Sequence, residues 1–87
     1  MKVLAIKDIE RKDVPIYYRL VFTGVAAIEL FSGTNNYRIE FTIEIKPTGD
    51  KEIIVSFKDD VHYPMLPILR ELKKIIGTMH SDGELPD

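Results

Sequence analysis

The chain has no cysteine and no tryptophan, and none of its apolar runs is long. Without cysteine, a disulfide framework and thiolate metal sites are excluded. The apolar start, Val3–Ile6, is too short for the core of a secretory signal peptide. No segment approaches the roughly 20 apolar residues of a membrane span. We therefore expect a cytoplasmic protein without a membrane partner.

Neither sign of charge dominates the sequence. Its 12 basic and 14 acidic residues leave a formal net charge of −2. A slightly acidic balance argues against nucleic acid and anionic membranes as partners. The length of 87 residues suits one domain. We expect a single globular domain over residues 1–80 and an acidic C-terminal tail over residues 81–87.

Strict alternation of apolar and polar residues marks the segment Tyr37–Lys46, YRIEFTIEIK. This period of two is typical of a strand with one buried face. Four further segments have strand character, and short turn sequences separate most of them. The sequence predicts an antiparallel meander of five strands at Val3–Ile6, Val14–Thr23, Ala26–Phe31, Tyr37–Lys46 and Lys51–Phe57.

The turns predict which residues pair across the strands. We place them at Thr23–Val25, Ser32–Asn35 and Pro47–Gly49. The first turn then pairs Leu20 with Ile28, and the second pairs Ile28 with Ile39. The third turn, with its proline first and its glycine last, pairs Ile43 with Ile53.

The C-terminal segment has the period of a helix. Its apolar residues recur at steps of three and four and are Met65, Leu66, Ile68, Leu69, Leu72, Ile75, Ile76 and Met79. Pro64 and Pro67 are compatible with a helix because both fall in its first turn, where amide hydrogens have no partner within the helix. The expected fold class is α+β, with this helix packed on the apolar face of the sheet.

One helix is narrower than the sheet that it has to cover. Five strands span about 20–25 Å, whereas a helix with its side chains is about 10–12 Å across. Leaving even 400 Å² of apolar surface wet would forgo roughly 10 kcal/mol. We therefore expect a small, non-enzymatic interaction or accessory domain that forms a homodimer or docks on a larger protein.

The outer face of the sheet also carries apolar residues among its charges. A candidate interaction patch consists of Tyr17, Val21, Val25, Phe31 and Ile54. The alternative is that these are scattered surface hydrophobes, which any soluble protein has.

Three charged residues, Arg19, Glu29 and Arg38, fall in one row across adjacent strands in this register. Arg19 and Arg38 are candidate anion contacts. Together with the helix cations they define the alternative function, a module that binds nucleic acid or another anion. The simpler interpretation of the row is a solvated charge ladder.

No motif for catalysis, cofactor binding or metal binding stands out. Asp59–His62 places carboxylates near an imidazole, but His62 and His80 are the only histidines, so a zinc site would need acidic ligands. The simpler role of Asp59 or Asp60 is to end a strand. The serines lack a nucleophile motif, and the glycines are too dispersed to cradle a phosphate. We expect no enzyme activity, no cofactor and no metal.

Overall fold

A four-stranded antiparallel sheet and one helix make up the computed structural model, which describes all residues from Met1 to Asp87. The elements are β1 (Lys2–Lys12), β2 (Arg19–Leu30), β3 (Gly33–Ile45), β4 (Lys51–Phe57) and α1 (Met65–Ser81). The strands lie in the order β1-β2-β3-β4, which makes the sheet a meander. The α+β class with a C-terminal helix is therefore confirmed, and the prediction of five strands is wrong.

The missing strand arises because β2 runs unbroken through Thr23–Val25, where the sequence predicted a turn. Gly24 is buried there against β1, and a Cβ atom on it would lie 3.2 Å from the carbonyl oxygen of Lys7. Opposite Gly24, β1 carries two residues instead of one, Asp8 and Ile9, and Asp8 has a φ of 53°. Gly24 thus permits a close approach to a β-bulge and does not end a strand.

The continuity of β2 changes its pairing with β3. Leu20 pairs with Ile43, and Ile28 pairs with Asn35, so the predicted pairs Leu20–Ile28 and Ile28–Ile39 are wrong. The partner of Ile28 moves by four positions along β3, from Ile39 to Asn35. Because side chains alternate with a period of two, this even shift leaves every residue on its predicted face.

The turn between β3 and β4 forms as predicted. Ile43 pairs with Ile53, and Phe41 pairs with Val55. The amide of Gly49 donates to the carbonyl of Lys46 at 2.8 Å, and Gly49 has a φ of 90°. A glycine favours this left-handed conformation, which closes the loop.

Strand β1 is longer than predicted because it includes the charged segment Lys7–Lys12. Such a segment is stable at the edge of a sheet, where its side chains reach water. A second irregularity lies between Val3 and Ala5. It turns Leu4 outward, so that Leu4 is 45% exposed and Val3 is buried. The prediction that Leu4 lies on the inner face is therefore wrong.

One seam of α1 fills the inner face of the sheet. Ile68, Leu72 and Ile76 are completely buried, and they share a cluster with Phe22 and Phe41, whose rings stack at 5.1 Å. The helix contacts β1 and β4, the two outermost strands, which shows that the sheet curls around it.

Residues outside the regular elements complete this cover. Val61 and Tyr63 precede the helix, Leu85 follows it, and all three pack against the core. The chain reaches Leu85 because Gly83, with a φ of 70°, ends the helix, and the amide of Glu84 donates to the carbonyl of Met79 at 2.9 Å. The difference in width that suggested a partner on the inner face is therefore largely closed within one chain.

We predict that Gly24→Val lowers the free energy of unfolding by about 1–3 kcal/mol, because the new side chain would meet the Lys7 carbonyl and Ile6. Gly77→Ala is the matched control. Its Cβ atom would make only an ordinary contact, 3.4 Å from Ile53 Cδ1, and alanine favours the helix by about 0.5–1 kcal/mol. Urea denaturation measures both. Equal stability of Gly24→Val and the wild type would contradict the packing role of Gly24.

The two faces of the sheet can be tested in the same way. Ile43 is fully buried and Ile54 is 46% exposed. Ile43→Ala should lower the free energy of unfolding by about 2–5 kcal/mol, because it leaves a cavity in the core. Ile54→Ala should cost less than about 1 kcal/mol. Similar losses for the two variants in urea denaturation would show that the faces are wrongly assigned.

Candidate interaction surfaces

The predicted row of Arg19, Glu29 and Arg38 does not form. In the continuous β2, Arg19 and Glu29 lie near opposite ends of the strand, and Glu29 pairs with Lys2 and Thr34. Each arginine instead has a carboxylate partner within the chain. Arg19 Nη2 lies 2.8 Å from Glu44 Oε2. Arg38 Nη2 lies 2.6 Å from Asp59 Oδ1.

The pair of Arg38 and Asp59 marks the place where β4 ends. Besides the guanidinium, the backbone amide of Arg38 donates to Asp59 Oδ2 at 2.8 Å. The amide of Lys58 in turn donates to the carbonyl of Arg38 at 2.9 Å. These hydrogen bonds from the Arg38 side chain and backbone lower the pKa of Asp59, and the same contact raises the pKa of Arg38. The expectation that Asp59 or Asp60 ends the strand is met by Asp59.

A second group of charges crosses the middle of the outer face. Glu40 Oε2 lies 3.1 Å from Lys12 Nζ and 3.5 Å from Lys58 Nζ. The hydrogen bond from Lys12 lowers the pKa of Glu40, and partial burial opposes this effect. The outer face is thus a network of paired, solvated charges, and exposed pairs of this kind each add little stability.

The five residues of the predicted patch do not lie together. Val21 is buried and pairs with Thr42, whose other neighbour is the half-exposed Ile54. Val25 pairs with Arg38 and is partly buried. Tyr17 and Phe31, which are both highly exposed, lie just before and just after the 12-residue β2, at opposite ends of the sheet.

Tyr17 instead borders a groove at one end of the sheet, which we call the tyrosine groove. It has a volume of about 530 Å³ and is lined by Tyr17, Tyr18, Glu44, Ile45, Lys46 and Pro47. The two tyrosine rings meet edge to face, with centroids 5.7 Å apart. The amide of Ile45 donates to the carbonyl of Tyr18 at 2.9 Å, which ties the two sides of the groove together.

The tyrosine groove was missed because Tyr18 and Ile45 have the parity of inner-face residues. They are nevertheless 42% and 38% exposed, since they lie where the β2–β3 ladder ends and nothing covers them. The signal in the sequence was the adjacent pair Tyr17–Tyr18 together with Pro47 after an alternating strand.

The histidines lie apart from each other and from any acidic cluster. No group of three or more His, Cys, Asp or Glu side chains converges in a way that would hold a metal ion. His80 Nδ1 lies 3.0 Å from Lys51 Nζ, and burial together with this cation lowers the pKa of His80. Asp59, the first residue of the Asp59–His62 segment, is already held by Arg38.

Fold and surfaces together define a small α+β domain in which a four-stranded meander carries one helix. The helix is too short and too polar to cross a membrane. Residues 1–81 match the model of the BB_0187 family, and the chain belongs to that family. No curated protein and no solved structure is significantly similar to it.

The lowered pKa of Asp59 predicts how the protein responds to acid. The ordinary pKa of this carboxyl is 3.8, and the folded value lies below it. Between the two values the unfolded chain binds more protons, so the stabilisation is present above about pH 4 and is lost as the pH falls through the folded value. Asp59→Asn should therefore lose less stability than the wild type on acidification.

Urea denaturation at about pH 7, 4, 3 and 2.5 measures this difference. Asp60→Asn is the matched control, since Asp60 is an adjacent, exposed carboxylate. It should follow the wild-type profile. If Asp59→Asn and the wild type have the same profile, the pair with Arg38 does not couple protonation to folding.

Proposed function

We propose that this chain is a small, non-enzymatic protein-interaction or accessory domain of the cytoplasm, which acts by homodimerisation or by docking on a larger protein. The tyrosine groove is the observation that carries the proposal. It gathers two tyrosines, an isoleucine and a proline around one concave surface.

The residues of the groove suit a protein partner. Tyr17 is 95% exposed, so almost its whole ring is available for burial. Tyrosines are enriched among the residues that dominate binding energy at interfaces, because they combine a large apolar ring with a hydroxyl that forms hydrogen bonds. Tyr18 is held by the backbone bond from Ile45, so less conformational freedom is lost on binding.

The charged residues support a function without catalysis. Arg38, Glu40 and Asp59 have shifted pKa values, and each shift arises from an ion pair on an open surface. Such pairs are ordinary parts of a charged strand face. In the tyrosine groove, Glu44 is already paired with Arg19, so the groove holds no free carboxylate that would serve as a general base.

The charges also favour a protein partner over nucleic acid. The alternative function relies on Arg19 and Arg38, and both hold a carboxylate of their own chain. Arg70, Lys73 and Lys74 are exposed on α1, but the chain as a whole is acidic. An acidic protein with paired arginines lacks the basic surface that phosphate backbones require.

Photo-crosslinking tests the proposal directly. We predict that a benzophenone amino acid in place of Tyr17 crosslinks in cells to one defined protein, which is either a larger protein or a second copy of the chain. The same probe at Lys73, an exposed helix position outside the groove, is the control.

Once the partner is known, Tyr17→Ser should weaken its binding at least about tenfold, as loss of a central aromatic anchor does. Isothermal titration calorimetry measures the effect, and circular dichroism confirms that the variant folds. Crosslinks at Tyr17 that are no more specific than those at Lys73 would refute a docking role for the groove.

A further inference from the structure

The two edges of the sheet differ in how well they are protected. At one edge, β1 has irregularities at Leu4 and at Asp8–Ile9, and its second half is densely charged. Bulges and charges are the means by which proteins prevent edge strands from pairing. At the other edge, β4 is regular over all seven residues and carries charges only in Lys51 and Glu52.

The backbone groups on the open side of β4 follow from its pairing with β3. The amide and the carbonyl of Arg38 both point toward β4, because they bond to Asp59 and Lys58. Orientation alternates along antiparallel strands, so the groups of Glu52, Ile54 and Ser56 bond to β3. The groups of Ile53, Val55 and Phe57 therefore point away from the sheet.

We infer that the free edge of β4 pairs antiparallel with the same edge of a second copy of this chain, with Val55 opposite Val55. This inference rests on the proposed function and names its partner as a second copy. The join would make one continuous eight-stranded sheet with about six new backbone hydrogen bonds, two from each outward-facing pair.

The sequence of β4 favours this register over the alternatives. A two-fold axis at Val55 sets Glu52 opposite Lys58 of the second copy, twice in each dimer, and Ile54 opposite Ser56. The whole strand is then paired. An axis at Ile53 or Phe57 leaves part of the strand unpaired and sets Glu52 or Lys58 opposite an uncharged residue. Opposite charges at facing positions stabilise a strand pair.

The side chains at these positions are available for such contacts. Glu52 and Lys58 share the outer face with Ile54, and both are about half exposed, with side-chain exposures of 51% and 49%. Their contacts within the chain, to Lys46 and Glu40, are both 3.5 Å long and leave them free to turn. Ile54 would lose part of its exposed surface in the joined sheet.

Charge reversal tests the inference through the dissociation constant of the dimer, measured by sedimentation equilibrium. Glu52→Lys sets lysine opposite lysine at both contacts, and Lys58→Glu sets glutamate opposite glutamate. Each variant alone should dissociate about tenfold more readily. An equimolar mixture of the two variants should regain wild-type affinity, because both contacts then join opposite charges.

The recovery in the mixture is specific to contacts between chains. A charge reversal that only disturbed Lys46 or Glu40 within its own chain would not be corrected by adding the other variant. Lys7→Glu and Glu10→Lys on β1 are the matched controls, and both should dimerise like the wild type. Circular dichroism checks that every variant folds.

A wild type that remains monomeric at millimolar concentration would overturn the inference. A dimer that neither variant weakens, or a mixture that does not recover, would also overturn it. None of these results removes the proposed function, which is decided separately by crosslinking at Tyr17. Loss of the Tyr17 crosslinks with dimerisation intact would refute docking through the groove and leave the β4 pairing in place.

Discussion

The fold depends on a single contact layer, in which Ile68, Leu72 and Ile76 of α1 lie against the inner face of the sheet. One helix covers a sheet of four strands only if the sheet bends toward it, and both outer strands do contact the helix. The segments before and after α1 close the remaining sides through Val61 and Leu85. Because the interior is filled within one chain, the surfaces left for partners are the outer face, the ends and the edges.

The parts of the fold that the sequence predicted correctly are those with local causes. A period of two marked the faces of β3, a spacing of three to four marked α1, and Pro47–Gly49 determined the pairing of Ile43 with Ile53. The number of strands was not predictable in this way. Gly24 resembles a turn residue in one dimension, and its role becomes visible only when Asp8 and Ile9 of the neighbouring strand lie opposite it.

The candidate sites show the same division. The sequence identified Tyr17 as an exposed aromatic residue, but it assigned Tyr18 and Ile45 to the interior, because parity gives a face and does not show where the cover ends. The partners of Arg19 and Arg38 were missed for a related reason. A shift of register keeps each side chain on its face but changes which charges meet across the strands, so ion pairs are harder to predict than burial.

The irregularities of β1 limit how many chains can assemble. A sheet with two open edges can add strands at both sides without end, which is how fibrils grow. Here Leu4 and the Asp8–Ile9 bulge interrupt the one edge that lies opposite β4. Strand addition is then possible on one side only, and a pair of chains joined there leaves two blocked margins facing solvent. Such an assembly is complete at two subunits and has no route to a filament.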